Sequence, residues 1–202
     1  MTARGRVARV ARRSVPVGLV VALAVGCTRD ADEQAARGRR KAAVAVAARD
    51  RALLQAFVRD ADALDARLPA LRRVETGWTA ADSAIVAAGW FAGDTLLVLD
   101  ENVRTRDGGT GQARYVFDGA RLRYVALDRM RPAVAGRRPE RLRLALGFDT
   151  SHVLVASSKN VDDGAVALDS VVDVAQRVAH AAALRTRLSA AAAAPAASGA
   201  PR

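Results

Sequence analysis

Arginine is the residue whose chemistry this sequence concentrates. Residues 104–143 hold 11 Arg against Asp107, Asp118, Asp128 and Glu140, a local net charge of +7. A guanidinium presents a planar fork that matches carboxylate and phosphate, so several on one surface suit anion binding. Arg114, Arg121, Arg123, Arg141 and Arg143 are the candidates, because alternation along their strands sets them opposite the apolar side chains. A tight turn at Asp118-Gly119 would place Arg114 across from Arg123. Like charges opposed in that way are destabilising unless water, neighbouring acids or an anionic ligand intervene. The plainer reading is a solvated outer face.

Other reactive residue types are scattered. His152 lies beside Asp149 and Ser151, but triads assemble from separate segments and adjacent strand residues point to opposite faces. His180 has no second His or acid at zinc-ligand spacing, and Gly108-Gly109-Thr110-Gly111 lacks the Lys-Ser/Thr of a phosphate loop. Asn160, Asp162 and Asp163 resemble part of a calcium loop without its closing Glu. Asp100-Glu101-Asn102 ends a strand and presents carboxylates with no assignable partner acid, while Trp78, Trp90 and Phe91 are expected in the core. The single Cys, Cys27, excludes an internal disulfide and a cysteine metal cluster. No catalytic residue, metal or cofactor is expected.

The elements that must position these residues follow from periodicity. Leu54, Phe57, Ala61, Leu64, Leu68 and Leu71 recur at spacings of three and four, predicting a helix laid on a sheet and ended near Leu68 by Pro69. From Ala84 the period becomes two. Strands are predicted over Ala84–Phe91, Thr95–Val103, Gln112–Phe117, Ala120–Leu127, Arg141–Phe148 and Ser151–Ser157. Leu96-Leu97-Val98-Leu99 is apolar on both sides, as in a central strand. A second helix, roughly Leu168–Leu188, would use Val171, Val174, Ala175, Val178, Ala182 and Leu184 as its apolar face. The expected fold is α+β: an N-terminal amphipathic helix, an antiparallel meander of about six strands and a C-terminal helix. Residues 42–188 would form the one domain, 27–41 a tether or the solvated start of a helix, and 189–202 a disordered Ala/Pro-rich tail.

The first residues speak about destination. Arg4, Arg6, Arg9, Arg12 and Arg13 precede a short apolar run, Val15 to Gly26, which is the layout of a secretory signal and too short for a stable membrane span. Ser14-Val15-Pro16 after Arg12-Arg13 fits a twin-arginine signal poorly, so ordinary secretion is expected. Leu23-Ala24-Val25-Gly26-Cys27 resembles the lipobox of bacterial lipoproteins, with Ala24 standing where that pattern has Leu. The resemblance covers about the first 30 residues. It implies cleavage before Cys27, a diacylglyceryl group on its sulfur and an acyl chain on its amine. Two or more chains anchor firmly, since each buried methylene contributes ~0.8 kcal/mol. Thr28 rather than Asp after the Cys implies onward transport to the outer membrane in a cell with two membranes.

Without the five signal arginines, 27 of the 32 basic residues remain against 21 acids, so the mature charge is +6 rather than +11. The basic residues are 30 Arg and only Lys41 and Lys159, a bias that fits codon composition. Nucleic-acid binding is therefore a poor inference for an exported chain. The sequence is expected to encode a lipid-anchored cell-envelope protein, on the periplasmic face of the outer membrane where one exists. Its partners would be membrane lipid through acylated Cys27 and an anionic lipid or acidic protein on the arginine face. The role would be non-catalytic binding or structure. The alternatives are an accessory subunit docked through the N-terminal helix and, more weakly, a small envelope hydrolase.

Overall fold

Eight antiparallel strands in strict sequence order form a single sheet, β1 to β8, between an N-terminal and a C-terminal helix. The computed structural model describes residues 20–133 and 138–194. The strands are β1 (Arg72–Ala80), β2 (Ser83–Ala92), β3 (Thr95–Thr105), β4 (Thr110–Asp118), β5 (Arg121–Arg131), β6 (Glu140–Phe148), β7 (Leu154–Val161) and β8 (Gly164–Ala165). Helix α1 spans Val20–Asp65 and α2 spans Gln176–Ala193, preceded by a π-helical turn at Ser170–Ala175. The fold is α+β as expected, but with eight strands in place of about six. The additions are β1, whose Arg72-Arg73 start masks its alternation, and the two-residue β8, too short for periodicity to reveal.

The chain divides after Val46 into two compact units. In the first, the helix continues through residues 33–42, which the sequence left as a tether or helix start; Ala and Arg are strong helix formers. Its side chains there are almost all exposed, with an Arg37–Glu33 pair at 2.7 Å. The Cys27 backbone lies within this helix, while most of the expected signal, residues 1–19, lies outside the described residues.

In the second unit the sheet is covered on both faces. The C-terminal part of α1 sets Leu54, Phe57, Ala61 and Leu64 on Val116, Tyr124, Ala126, Ala145 and Ala156. The predicted seam therefore holds through Leu64, but the helix stops at Asp65 and Leu68–Ala70 form a 3-10 turn. Pro69 disfavours helical geometry at the residue before it. On the other face α2 buries Ala181, Leu184 and Leu188 against Phe91, Leu96, Leu99, Tyr115 and Phe117. Val171, Ala175 and Ala182, expected inward, are exposed: the widened π turn at Ser170–Ala175 displaces the helical face. Helix α2 also runs to Ala193, past the predicted disordered boundary, because its alanines favour helix; Pro195 and the residues after Ala194 lie outside the described residues.

Register corrects the arginine argument. The loop between β4 and β5 is Gly119-Ala120, with Asp118 facing Arg121 and Gly119 at φ +59°. Phe117 pairs with Leu122 and Val116 with Tyr124, so Arg123 is a bulge with no partner. Arg114 consequently faces Ala126, not Arg123, and Tyr124 turns to the α1 side while Val125 takes its place under α2. Similar shifts occur at Trp90/Phe91 and Gly147/Phe148, each near a hairpin turn at the same end of the sheet.

Close approach of α1 depends on Gly147. A Cβ there would stand 2.5 Å from Phe57 Cδ2. Gly147→Ala is expected to destabilise the protein by about 1–3 kcal/mol through overpacking, read by urea denaturation. In a Phe57→Ala background most of that cost should vanish; an undiminished cost would mean the ring is not what the methyl meets.

Candidate functional site

Two cross-strand rows on the α2 side of the sheet define the site. One runs Ile85, Val103, Gly111, Arg129, Leu142, Val161 across β2 to β7; the next runs Ala87, Glu101, Ala113, Leu127, Leu144, Lys159. The second row carries opposite charges near its ends, and each reaches a partner above the sheet. Glu101 Oε1 lies 2.8 Å from His180 Nε2 on α2. Lys159 Nζ donates to Asp173 Oδ2 on the π turn at 2.7 Å. Between these two contacts the rows offer only small side chains at Gly111 and Ala113, so helix and sheet do not close. Further along α2, Leu184, Leu188, Phe91 and Leu96 fill the same interval.

The resulting cleft has two adjoining lobes. One, of about 260 Å³, is walled by Ile85, Val103, Ala113 and Leu127 and edged by Glu101 and His180. The other, of about 460 Å³, lies over Leu142, Leu144 and Val161 and is edged by Lys159, Asp173 and Arg131. Leu127, Arg129, Arg177 and His180 line both. Volumes of a few hundred cubic ångströms suit small molecules rather than folded partners.

Glu101 organises the chemistry. It is 3% exposed, and burial pushes its carboxyl pKa up. The hydrogen bond and charge of His180, the Tyr115 hydroxyl donating at 3.0 Å and the charge of Arg177 together outweigh that, holding the carboxyl below its ordinary value. The same arrangement raises the Tyr115 phenol, first by burial and then through the adjacent carboxylate. Asp173, also buried, accepts from Lys159 and from the Asp169 backbone N–H at 2.7 Å each, so both buried carboxylates are satisfied.

The arginines singled out from sequence are gathered elsewhere. Arg114 forks onto Asp100 at 2.8 and 2.9 Å and reaches Asp65 at 2.7 Å, tying β4 to β3 and to the end of α1. Its guanidinium is held charged even more firmly than usual, chiefly by the Asp100 hydrogen bonds. Arg141 binds Asp128, Arg143 binds Asp163 at 2.8 Å, and Arg121 donates to the Thr150 carbonyl at 2.5 Å. Arg123 lies over the Phe57 ring, 5.6 Å from its centroid. Neighbouring acids thus meet three of the five, while the opposed Arg114–Arg123 pair expected from the turn does not form.

The remaining candidates resolve locally. Asp149 accepts from the Ser151 and Val153 backbone N–H groups and builds the β6–β7 turn, where His152 sits at φ +64°. Asp162 and Asp163, both at positive φ, form the tight β7–β8 turn. Asp107 accepts from Thr105 and the Gly109 N–H within the glycine-rich turn. Phe91 is buried in the core, Trp78 packs beside it under Arg187, and Trp90 lies near Arg73. Sequence reasoning noted Glu101 and His180 separately and missed Tyr115, Arg129, Lys159, Asp173 and Arg177 as partners. A signal existed: Glu101 interrupts the apolar alternation Leu99, Glu101, Val103, and an acid on a core face demands a partner.

Compared with protein families, with curated proteins and with solved structures, the chain finds no match, so the site rests on its own geometry.

Because folding lowers the Glu101 pKa, its ionised form contributes stability above the ordinary value of 4.5 and loses that contribution as pH falls through the folded value. Glu101→Gln is expected to cost about 1–3 kcal/mol near neutral pH and to flatten the acid side of the stability curve. Urea denaturation between about pH 3 and 7 reads both; an acid limb parallel to the parent's would remove the carboxylate from this role.

Proposed function

We propose that this chain is a lipid-anchored binding protein of a bacterial cell envelope, held by acylated Cys27 and taking a small ligand between the sheet and α2. The cleft is the observation that carries the binding role. It is bounded at both sides by satisfied charge pairs, so its opening is a property of the packed sheet and helix rather than of a missing contact. His180 Nε2 and the Tyr115 hydroxyl both engage Glu101.

The anchor rests on Leu23-Ala24-Val25-Gly26-Cys27 and on the only thiol in the chain standing where acylation would need it. Among the described residues no helix is long and apolar enough to cross a membrane. Attachment through lipid would supply the membrane affinity that the second unit's polar exterior does not. Thr28 after the Cys favours transport onward to the outer membrane in a double-membraned cell.

The arginine face remains the second reading for contact with anionic envelope components, favoured by Arg123, which among the described residues lies over the Phe57 ring rather than in an ion pair. The cleft is the stronger candidate because Arg114, Arg141 and Arg143 already hold acids.

Labelled palmitate fed to cells expressing the full chain is expected to enter the protein, and Cys27→Ser is expected to abolish incorporation and release the protein from the membrane fraction. Labelling that survives Cys27→Ser, or an unlabelled parent, would overturn the anchor.

A further inference from the structure

The charges around the cleft do not cancel. Arg129, Arg131, Lys159 and Arg177 line it, against Glu101, Glu140 and Asp173. Each acid has a partner of its own: His180 at 2.8 Å from Glu101, Arg131 at 3.2 Å from Glu140 and Lys159 at 2.7 Å from Asp173. Among the described residues Arg129 and Arg177 make no ion pair, and these two line both lobes. Arg129 acts on Asp107 only through longer-range charge. Arg177 reaches the Tyr115 hydroxyl at 3.5 Å, the outer limit of a hydrogen bond, and its Nε is buried with no partner at all. A buried guanidinium N–H without an acceptor is uncommon in a folded protein and calls for one.

We propose that the cleft binds an amphiphile with an oxyanion head, a carboxylate or a phosphate, received by Arg177 and Arg129 where the lobes meet. The head would supply acceptors to the guanidinium groups of Arg177 and Arg129 that line both lobes, in the forked geometry arginine favours. The body lies along Ile85, Val103 and Ala113, the apolar walls of the smaller lobe. Glu101 faces that lobe too, but its charge is already countered by His180 and Tyr115. Gly111 sets the width. A Cβ there would lie 3.7 Å from Arg129 Cγ and 3.8 Å from Val103 Cβ, ordinary contact distances, so a larger side chain fits the fold while filling the cleft.

This ligand class rests on the cleft being the binding site, and the experiment separates the two. The full chain in nanodiscs of zwitterionic lipid is titrated calorimetrically with octanoate, octyl phosphate, octanol and inorganic phosphate, with empty discs subtracted. At least one octyl anion is expected to bind about tenfold or more tighter than octanol, and to weaken about tenfold or more in Arg177→Gln and in Arg129→Gln. Gly111→Val is expected to block the same anion while retaining a cooperative thermal transition. Preference between the octyl anions distinguishes a carboxylate from a phosphate head. Competition by inorganic phosphate supports head-group recognition, and a free anion that binds as tightly as the octyl anions overturns the amphiphile. Octanol binding as tightly as the anions, blocked by Gly111→Val, overturns the oxyanion head and leaves the cleft reading standing. Anion affinity unchanged in both arginine variants overturns the inference, and no binding by either octyl anion overturns inference and cleft together.

Discussion

A carboxylate buried in the middle of a sheet has to be solvated by the protein itself, and Glu101 on β3 imposes that requirement here. Only 3% of the residue is exposed, so the Tyr115 hydroxyl from β4 and the His180 ring from α2 largely take water's place. The contact fixes how far along the sheet α2 sits and which of its residues face inward. Lys159 and Asp173 impose the mirror-image condition four strands away, with the charges exchanged between sheet and helix. Two such links hold the N-terminal end of α2 over strand positions that include the small residues Gly111 and Ala113.

The cleft follows from that frame as a consequence of side-chain size. At the far end of α2 the interval closes on Leu184 and Leu188, with Gly89 allowing Leu188 and Leu96 to approach the strand. Near His180 the corresponding strand positions are Gly111 and Ala113, and space remains. Polar links act at this end of the helix beside the packing of Val174 and Val178 on the core. Charge pairs of this kind contribute modestly to stability after desolvation, but they specify geometry. Rigid positioning of cations around a partly apolar hollow is what recognition of a small charged ligand requires, since the ordering cost is met during folding rather than binding.

The other face obeys a different rule. There the C-terminal part of α1 meets alanines at positions 126, 145 and 156 and the bare backbone of Gly147, which lets Phe57 lie flat beside Tyr124 with ring centroids 6.2 Å apart. Arg114 closes the arrangement at the end of the helix by holding Asp65 and Asp100 together. The abundance of arginine is thus largely structural on this side. Guanidiniums supply links to acids on α1, β3, β5 and the β7–β8 turn.

What the sequence determined by itself is whatever depends on neighbours along the chain: the α+β order, the Leu54–Leu64 seam, the hairpins, the buried Leu96–Leu99 segment and the lipobox-like motif. Periodicity of 3.6 or 2.0 is written in consecutive residues, so these were legible. Tertiary structure alone decided register, and register decided the site. A turn placed one residue later, at Gly119-Ala120, and a bulge at Arg123 together move Arg114 from Arg123 to Ala126, and the bulge exchanges the faces of Tyr124 and Val125. The cleft residues come from β2 to β7, the π turn and α2, and the bonded pair Glu101 and His180 stands 79 positions apart. Composition and spacing carry no record of such pairings, because a contact across a sheet costs nothing in local conformation and leaves no local trace.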